Sequence, residues 1–360
     1  MNTSTNLETV ATPYGCMHNV HVLSRWDNSA PCACHCLAPD MAPTPHGWLM
    51  PLHDATDIRR SCENSFTLYP NGMWRSLELQ HQTNVSTPLG LLPAEWLSWY
   101  PGGALKRILT RKGRLSGYWT EKDEEALAPC LDLLLPPGRF TGKVQGLRFH
   151  PGGQCASTTL WPGQTWTIST PVGPLPIRYG CAFYEDGSVR SCEPARPVSV
   201  PTPLGNIRAF DPAAQAVCGD TNSLEFACPE ATEARPGAPR LSDATKTHAP
   251  LHTGAETGEI CFGAGKASPV LALSTINIAL HWKSGTNTGI IAPRMETDPL
   301  TGLGTVIVPL RLSFGPHGRL TVDDGLEKYT LPMEAVQIRP HISLPDMRGK
   351  QAGSLAEMPL

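Results

Sequence analysis

Short stretches that alternate apolar and polar side chains, each closed by a glycine turn, recur along this chain. The clearest copies are Phe66-Thr67-Leu68-Tyr69-Pro70-Asn71-Gly72 and Leu97-Ser98-Trp99-Tyr100-Pro101-Gly102-Gly103. Leu147-Arg148-Phe149-His150-Pro151-Gly152-Gly153 and Cys181-Ala182-Phe183-Tyr184-Glu185-Asp186-Gly187 follow the same pattern. Leu312 to Gly318 is a distant copy, and Leu224 to Glu230 is a decayed one that has lost its glycine. A period of two is that of a half-buried strand. Pro70 presets the first corner of a turn, and Gly72 takes the left-handed conformation that closes a hairpin over a bulge. Positive φ is therefore expected at Gly72, Gly103, Gly153 and Gly187. The second residue after the glycine is Trp74, Leu105, Cys155, Val189 or Leu320, so the return strand is expected to bury that side chain.

A second motif, Thr-Pro-x-Gly, is interleaved with the first. It occurs at Thr12, Thr44, Thr87, Thr170 and Thr202. The last three follow strand-like text carrying Val85, Ile168 or Val200. Gly72 to Pro88 and Gly187 to Pro203 are equal in length, and Gly153 to Pro171 is nearly so. Two interleaved turn motifs in a repeating register predict strand–turn–strand–turn throughout. The fold class expected is mainly β: an elongated antiparallel meander of tandem hairpins, a carboxy-terminal β segment and one short helix.

The stretches from Tyr69 to Leu77 and from Tyr184 to Ser191 resemble the variant form of the MORN repeat, a β-hairpin unit. The resemblance covers about residues 61–232 in patches, with an echo at 310–322. It lacks the regular Gly-x-Trp and Gly-x-Gly spacing of that repeat and adds Thr-Pro-x-Gly. The composite unit is similar to a set of bacterial proteins. The resemblance implies an extended antiparallel sheet and a role in binding or scaffolding.

Beyond the array, residues 1–60 hold two Thr-Pro-x-Gly units around a cysteine-rich insert, which reads as lying outside the array 61–230. Residues 110–140 read as an interruption. Thr120 is placed to cap a helix from Glu121 to Ala128, stopped by Pro129, with Asp123, Glu124 and Glu125 as a solvated first turn suited to the helix dipole. Residues 231–268, rich in Ala, Thr, Pro, Gly and Glu, read as a linker or disordered loop. Residues 269–345 return to strand-like text, and 346–360 read as a tail.

Composition sharpens the picture in three ways. With 36 prolines and 33 glycines, long helices are disfavoured. A net charge of −3 gives no long-range pull toward nucleic acid or an anionic membrane. The longest apolar run, 270–280, falls short of the roughly 18 residues that span a bilayer. A cytoplasmic protein is expected, its 12 cysteines kept as thiols.

The densest chemistry is Cys32-Ala33-Cys34-His35-Cys36, with Cys16, His18, His21, His46, His53 and Cys62 nearby. Cys32, Cys34, His35 and Cys36 are candidate ligands for zinc or copper, although the spacing is poor for structural zinc. The bland alternative is an exposed surface insert. Tyr69, Tyr100 and Tyr184 stand at equivalent positions and could form a stripe for a peptide or glycan, with packing between neighbours as the structural alternative. Arg75, Lys106, Arg107 and Arg190 recur after the turn glycine and are expected on the solvent face, balanced by Glu78 and Glu193. His150 replaces a repeat tyrosine and reads as a substituted position rather than a base. Gly263-Ala264-Gly265-Lys266 lacks phosphate-loop spacing. The leading expectation is a non-enzymatic interaction or scaffold protein with a protein partner, no nucleic acid and no cofactor. The rivals are a metal- or redox-responsive protein and an enzyme whose site assembles only in three dimensions.

Overall fold

A computed structural model describes residues 7–55, 59–60, 63–214, 222–229, 268–297 and 305–341. Eighteen strands form one antiparallel sheet. Its spine begins with Gly15–Arg25, which pairs with Pro31–Cys36, which pairs with Phe66–Leu68. It continues through Trp74–Thr87, Gly90–Trp99, Leu105–Leu109, Gly138–Phe149 and Cys155–Leu160. Gly173–Phe183, Val189–Pro194, Leu224–Phe226 and Val270–Thr275 come next. Leu310–Gly315, Arg319–Asp323 and Lys328–Pro332 finish it. The meander expected from the turns is therefore the fold.

One cross-strand row explains why so irregular a sequence makes so regular a sheet. Val22, Cys34, Phe66, Leu77, Leu97, Ile108 and Leu147 stand directly opposite one another on successive strands. Thr158, Cys181, Cys192, Leu224, Leu273, Leu312 and Val322 continue the row. All but Val22 are buried. A one-residue slip would send the whole row to the other face, so burial fixes register. A neighbouring buried row carries the residues after the turn glycines, Trp74, Leu105, Cys155, Val189 and Leu320, as the sequence predicts.

The Thr-Pro-x-Gly hairpins form a second layer. Their inward residues, among them Val10, Leu49, Val85, Ile168, Val200 and Ile207, belong to the same core cluster as the main sheet. Register breaks between Glu78 and Thr83, between Val144 and Gly146, and between Ile177 and Cys181 let single long strands serve both layers. Each motif closes identically. The threonine hydroxyl donates to the glycine carbonyl, at 2.9 Å from Thr12 to Gly15 and 2.8 Å from Thr44 to Gly47 and Thr87 to Gly90. It also accepts from the backbone N–H two residues on, as at Tyr14, His46 and Leu89. Thr170 and Thr202 repeat both bonds. Threonine, proline and glycine are each needed by one corner of this turn.

The structure revises the organisation read from sequence. Residues 1–60 do not stand apart: Pro31–Cys36 lies within the main sheet, between Gly15–Arg25 and Phe66–Leu68. The interruption at 110–140 is shorter than expected, because Cys130–Leu135 and Gly138–Phe149 form another hairpin of the second layer. Its turn is Leu135-Pro136-Pro137-Gly138, with leucine where the motif has threonine. The carboxy-terminal strands Val270–Thr275 and Leu310–Gly315 extend the same sheet. Ile278–Ser284, Asn287–Ile291 and Val336–Pro340 make a small sheet of their own. The linker and tail expected at 231–268 and 346–360 lie outside the described residues, Ser268 apart.

The helix is Glu121–Leu127, with Thr120 and Asp123 bonded reciprocally as a capping box. Its first turn is not all solvated. Glu124 is buried, accepting from Arg59 at 2.8 Å and from the Trp119 indole at 2.7 Å. Arg59 also grips Glu95 through both nitrogens, at 2.9 and 2.8 Å. Arg111 and the Lys112 backbone reach the same carboxylate at 2.7 and 2.8 Å. Beside it, Arg60 and Lys112 both pair with buried Glu78. This charge network fastens the irregular stretches around residues 59–60 and 110–128 to the sheet.

Candidate interaction face

The turns that open on a tyrosine or histidine ring close with the same two bonds. In the Tyr69 turn, the Tyr69 N–H donates to Met73 O at 2.8 Å and the Gly72 N–H donates to Tyr69 O at 2.9 Å. The turns at Tyr100, His150 and Tyr184 repeat both bonds. Gly72, Gly103, Gly153 and Gly187 all have positive φ, between 78° and 91°. Trp26 begins another copy: its N–H donates to Ala30 O, and Ser29 stands at the glycine position with φ 64°.

The ring that opens each turn reaches across to the next. Trp26 Nε1 donates to Leu68 O at 3.0 Å, and the Tyr69 hydroxyl to Trp99 O at 3.0 Å. The Tyr100 hydroxyl donates to Phe149 O at 2.9 Å, His150 Nε2 to Phe183 O at 3.1 Å, and the Tyr184 hydroxyl to Phe226 O at 2.9 Å. The acceptor is always the residue just before the next unit's ring position. Tyr69, Tyr100 and Tyr184 thus form the stripe the sequence predicts, together with Trp26 and His150. Their polar tips are spent on the backbone, which leaves half-buried ring surface facing out.

A bulge in every copy decides what lies over those rings. Leu68 pairs with Trp74 and Thr67 with Ser76, so Arg75 is the extra residue on its strand. A bulge of this kind turns that extra side chain toward the face away from the core. The Arg75 guanidinium lies 6.0 Å from the rings of both Tyr69 and Trp26. Lys106 Nζ lies 5.6 Å from the Tyr100 ring. Arg190 occupies the same position beside Tyr184. Arg107 and Arg148 stand directly opposite one another on neighbouring strands of this face. Cation over aromatic is an attractive pairing worth roughly 0.5–1 kcal/mol at an exposed site. Glu78 and Glu193 do not balance these cations, contrary to the sequence expectation. Both are buried, Glu78 bound to Arg60 and Lys112 and Glu193 to Ser223.

The unit with histidine differs. Ala156 stands where the three tyrosine units carry Arg75, Lys106 and Arg190, and where the Trp26 unit has Cys32. A cavity of about 270 Å³ opens there, lined by Tyr100, Arg148, His150, Tyr184, Glu185 and Arg190.

The thiol-rich strand has a different character. Cys34 and Cys36 are 0% and 1% exposed, so they belong to the core and are not exposed thiols. Burial, with the neighbouring Cys36 and Cys32, pushes the Cys34 thiol up to about 12. Strand alternation sends His35 to the face opposite Cys34 and Cys36, where it pairs with His21. The candidate set Cys32, Cys34, His35 and Cys36 is therefore split between two faces. His46 stacks on Trp99 with ring centres 6.1 Å apart, and His53 Nδ1 lies 3.1 Å from Pro51 O. Among the described residues no group of three His, Cys, Asp or Glu is arranged to hold a metal ion.

Sequence reasoning missed Trp26 as a rung, because serine replaces the turn glycine, and it gave Arg148 no role. Counting four residues back from Ala30 in the turn register would have found Trp26. No family model, no curated protein and no solved structure matches the chain. No helix among the described residues is long and apolar enough to cross a membrane.

Proposed function

We propose that this chain is a non-enzymatic interaction protein that binds a protein partner along the ringed and cationic turn face. The observation that carries this reading is the repetition of one surface device. A ring is fixed by a bond to the next unit, and a bulge places a cation over it at Tyr69 and Tyr100 and beside it at Tyr184. Rigid aromatic surface paired with arginine is the side-chain chemistry that dominates binding at protein interfaces. An extended sheet that repeats it suits a scaffold, in keeping with the MORN-like character of the turns.

The test is site-specific photo-crosslinking in cells that make the protein. A crosslinking residue at Arg75 or Lys106 is expected to capture a discrete partner. The same residue at Leu134, which is exposed on a second-layer hairpin, is not. Equal labelling from both faces, or none from the turns, would remove the proposal.

A further inference from the structure

We infer that Cys181 and Cys192 are a modification site, forming a cross-strand disulfide by exchange with a low-molecular-weight disulfide such as oxidised glutathione. The bond fixes the register of Gly173–Phe183 against Val189–Pro194, the hairpin that carries Tyr184 and Arg190.

Cys181 stands directly opposite Cys192, and both are thiols in this structure. The Tyr184 N–H donates to Ser188 O, so the backbone groups of Tyr184, and by alternation those of Ala182, face Val189–Pro194. Those of Cys181 face the other neighbour, Cys155–Leu160, where Cys181 pairs with Thr158. Cys181 and Cys192 are therefore a non-hydrogen-bonded pair, the closer of the two antiparallel kinds, with Cα atoms about 4.5 Å apart. A disulfide needs Cα atoms roughly 4.4–6.8 Å apart, so the backbone already has the spacing. Among the described residues no other two cysteines stand opposite one another on paired strands. Cys34 and Cys36 share a face, but they follow one another on a single strand, about 6.6 Å apart along it, which puts their Cβ atoms beyond bridging distance. The opposed pair is also enclosed, with both side chains 0% exposed. Burial, then the neighbouring Cys192 and Cys155, pushes the Cys181 thiol well above its ordinary range, and burial and Glu193 raise Cys192 likewise. Exchange therefore proceeds as the chain folds or when the hairpin opens. One cysteine thiolate attacks the small disulfide and releases a thiolate, and the second attacks the mixed disulfide and releases another. The two released thiolates take up the protons that the cysteines lose. Once closed into the core, the bond is out of reach of an attacking thiol.

The test incubates the full chain with oxidised and reduced glutathione, in urea just below its unfolding transition so that the hairpin opens and recloses. The product is mapped with trypsin under non-reducing conditions. Trypsin cuts after Arg190, between the two cysteines, so the bond appears as peptides 179–190 and 191–208 joined, lighter by two hydrogens than their sum. The joined pair is expected as the dominant disulfide, and reduction should separate it. The oxidised chain is expected to melt several degrees above the reduced chain, since the bond closes a loop in the unfolded state. Cys192→Ala should abolish both the joined peptides and the shift, whereas Cys155→Ala should leave both. If Cys192→Ala does not fold, the wild-type peptide map decides alone. Recovery of Cys181 bonded to Cys155 would overturn the inference. So would recovery of Cys181 and Cys192 unpaired, or as mixed disulfides with glutathione. A joined pair that lowers the melting temperature would also overturn it, because the folded hairpin would then not fit the bond.

Discussion

Glu193 is 2% exposed, and burial pushes its carboxyl up to about 7, against bonds from Ser223 and the nearby Arg178. The sign of the effect follows from linkage. Below about pH 4.5 the group is protonated whether the chain is folded or not, and it costs nothing. As pH rises toward about 7 the unfolded chain ionises first, so the folded state loses stability over that window. Glu193→Gln keeps a partner for the Ser223 N–H and hydroxyl. Its melting temperature relative to wild type is expected to rise between pH 5 and pH 8, and an identical difference at both pH values would contradict this. Glu95 behaves in the opposite sense. Burial raises its carboxyl, but Arg59, the Lys112 backbone and Arg111 outweigh burial and hold it below the ordinary range. It therefore stabilises the fold at neutral pH and ceases to do so as acid protonates it. Glu95→Ala strands buried guanidinium charge and should cost about 3–5 kcal/mol in chemical denaturation. At Gly103, an added Cβ would meet Met73 Cε at 2.8 Å and the Tyr14 hydroxyl at 2.9 Å, in a backbone with φ 89°. Gly103→Val is expected to destabilise by about 1–3 kcal/mol, from strain and close contact together. Gly187→Val, with Pro136 at 3.2 Å, should fall in the same range.

At the scale of the element, the hairpin was legible wherever a single residue type was indispensable to its turn. Glycine at 72, 103, 153 and 187 and threonine at 12, 44, 87, 170 and 202 announced themselves for that reason. Ser29 and Leu135 replace those residues at turns of equivalent position, so the units they belong to did not show. The stripe of tyrosines was visible as a pattern. The bonds that spend their hydroxyls were not, because each acceptor belongs to the next hairpin. Cys34 and Cys36 were misjudged because alternation alone does not say which face is the core. The decayed copy makes the same point in reverse. Leu224–Phe226 pairs with Val270–Thr275 across a bulge between Glu225 and Phe226, and the Ala227 N–H donates to Pro269 O at 2.8 Å. That is the bond Tyr69 makes to Met73, so three residues would suffice between Ala227 and Pro269. Replacing 228–268 with Pro-Asn-Gly is expected to keep unfolding cooperative, with loss of the Ser268 hydroxyl's bond to Pro201 O. Loss of cooperative unfolding would show that the hairpin needs more than its own turn.

Among the described residues Lys328–Pro332 pairs with Arg319–Asp323 alone, and an end strand of this kind is open to pairing with another chain. At the carboxy-terminal end, Lys328–Pro332 presents Lys328, Thr330 and Pro332 at alternate positions, and its proline has no N–H to offer. Lys328→Val combined with Pro332→Val should produce concentration-dependent self-association in light scattering, whereas Leu134→Val, on a second-layer hairpin, should not. Along the sheet, the bulge described above has a metric consequence. Arg75, Lys106, Ala156, Arg190 and Leu271 occupy one position on every second strand. Strands lie about 4.8 Å apart, so these side chains repeat at roughly 10 Å, while an extended chain advances about 3.3 Å per residue. A peptide laid across the strands would meet one such position every third residue. The face is a ruler with a three-residue division, and its markings can change without disturbing a single core contact.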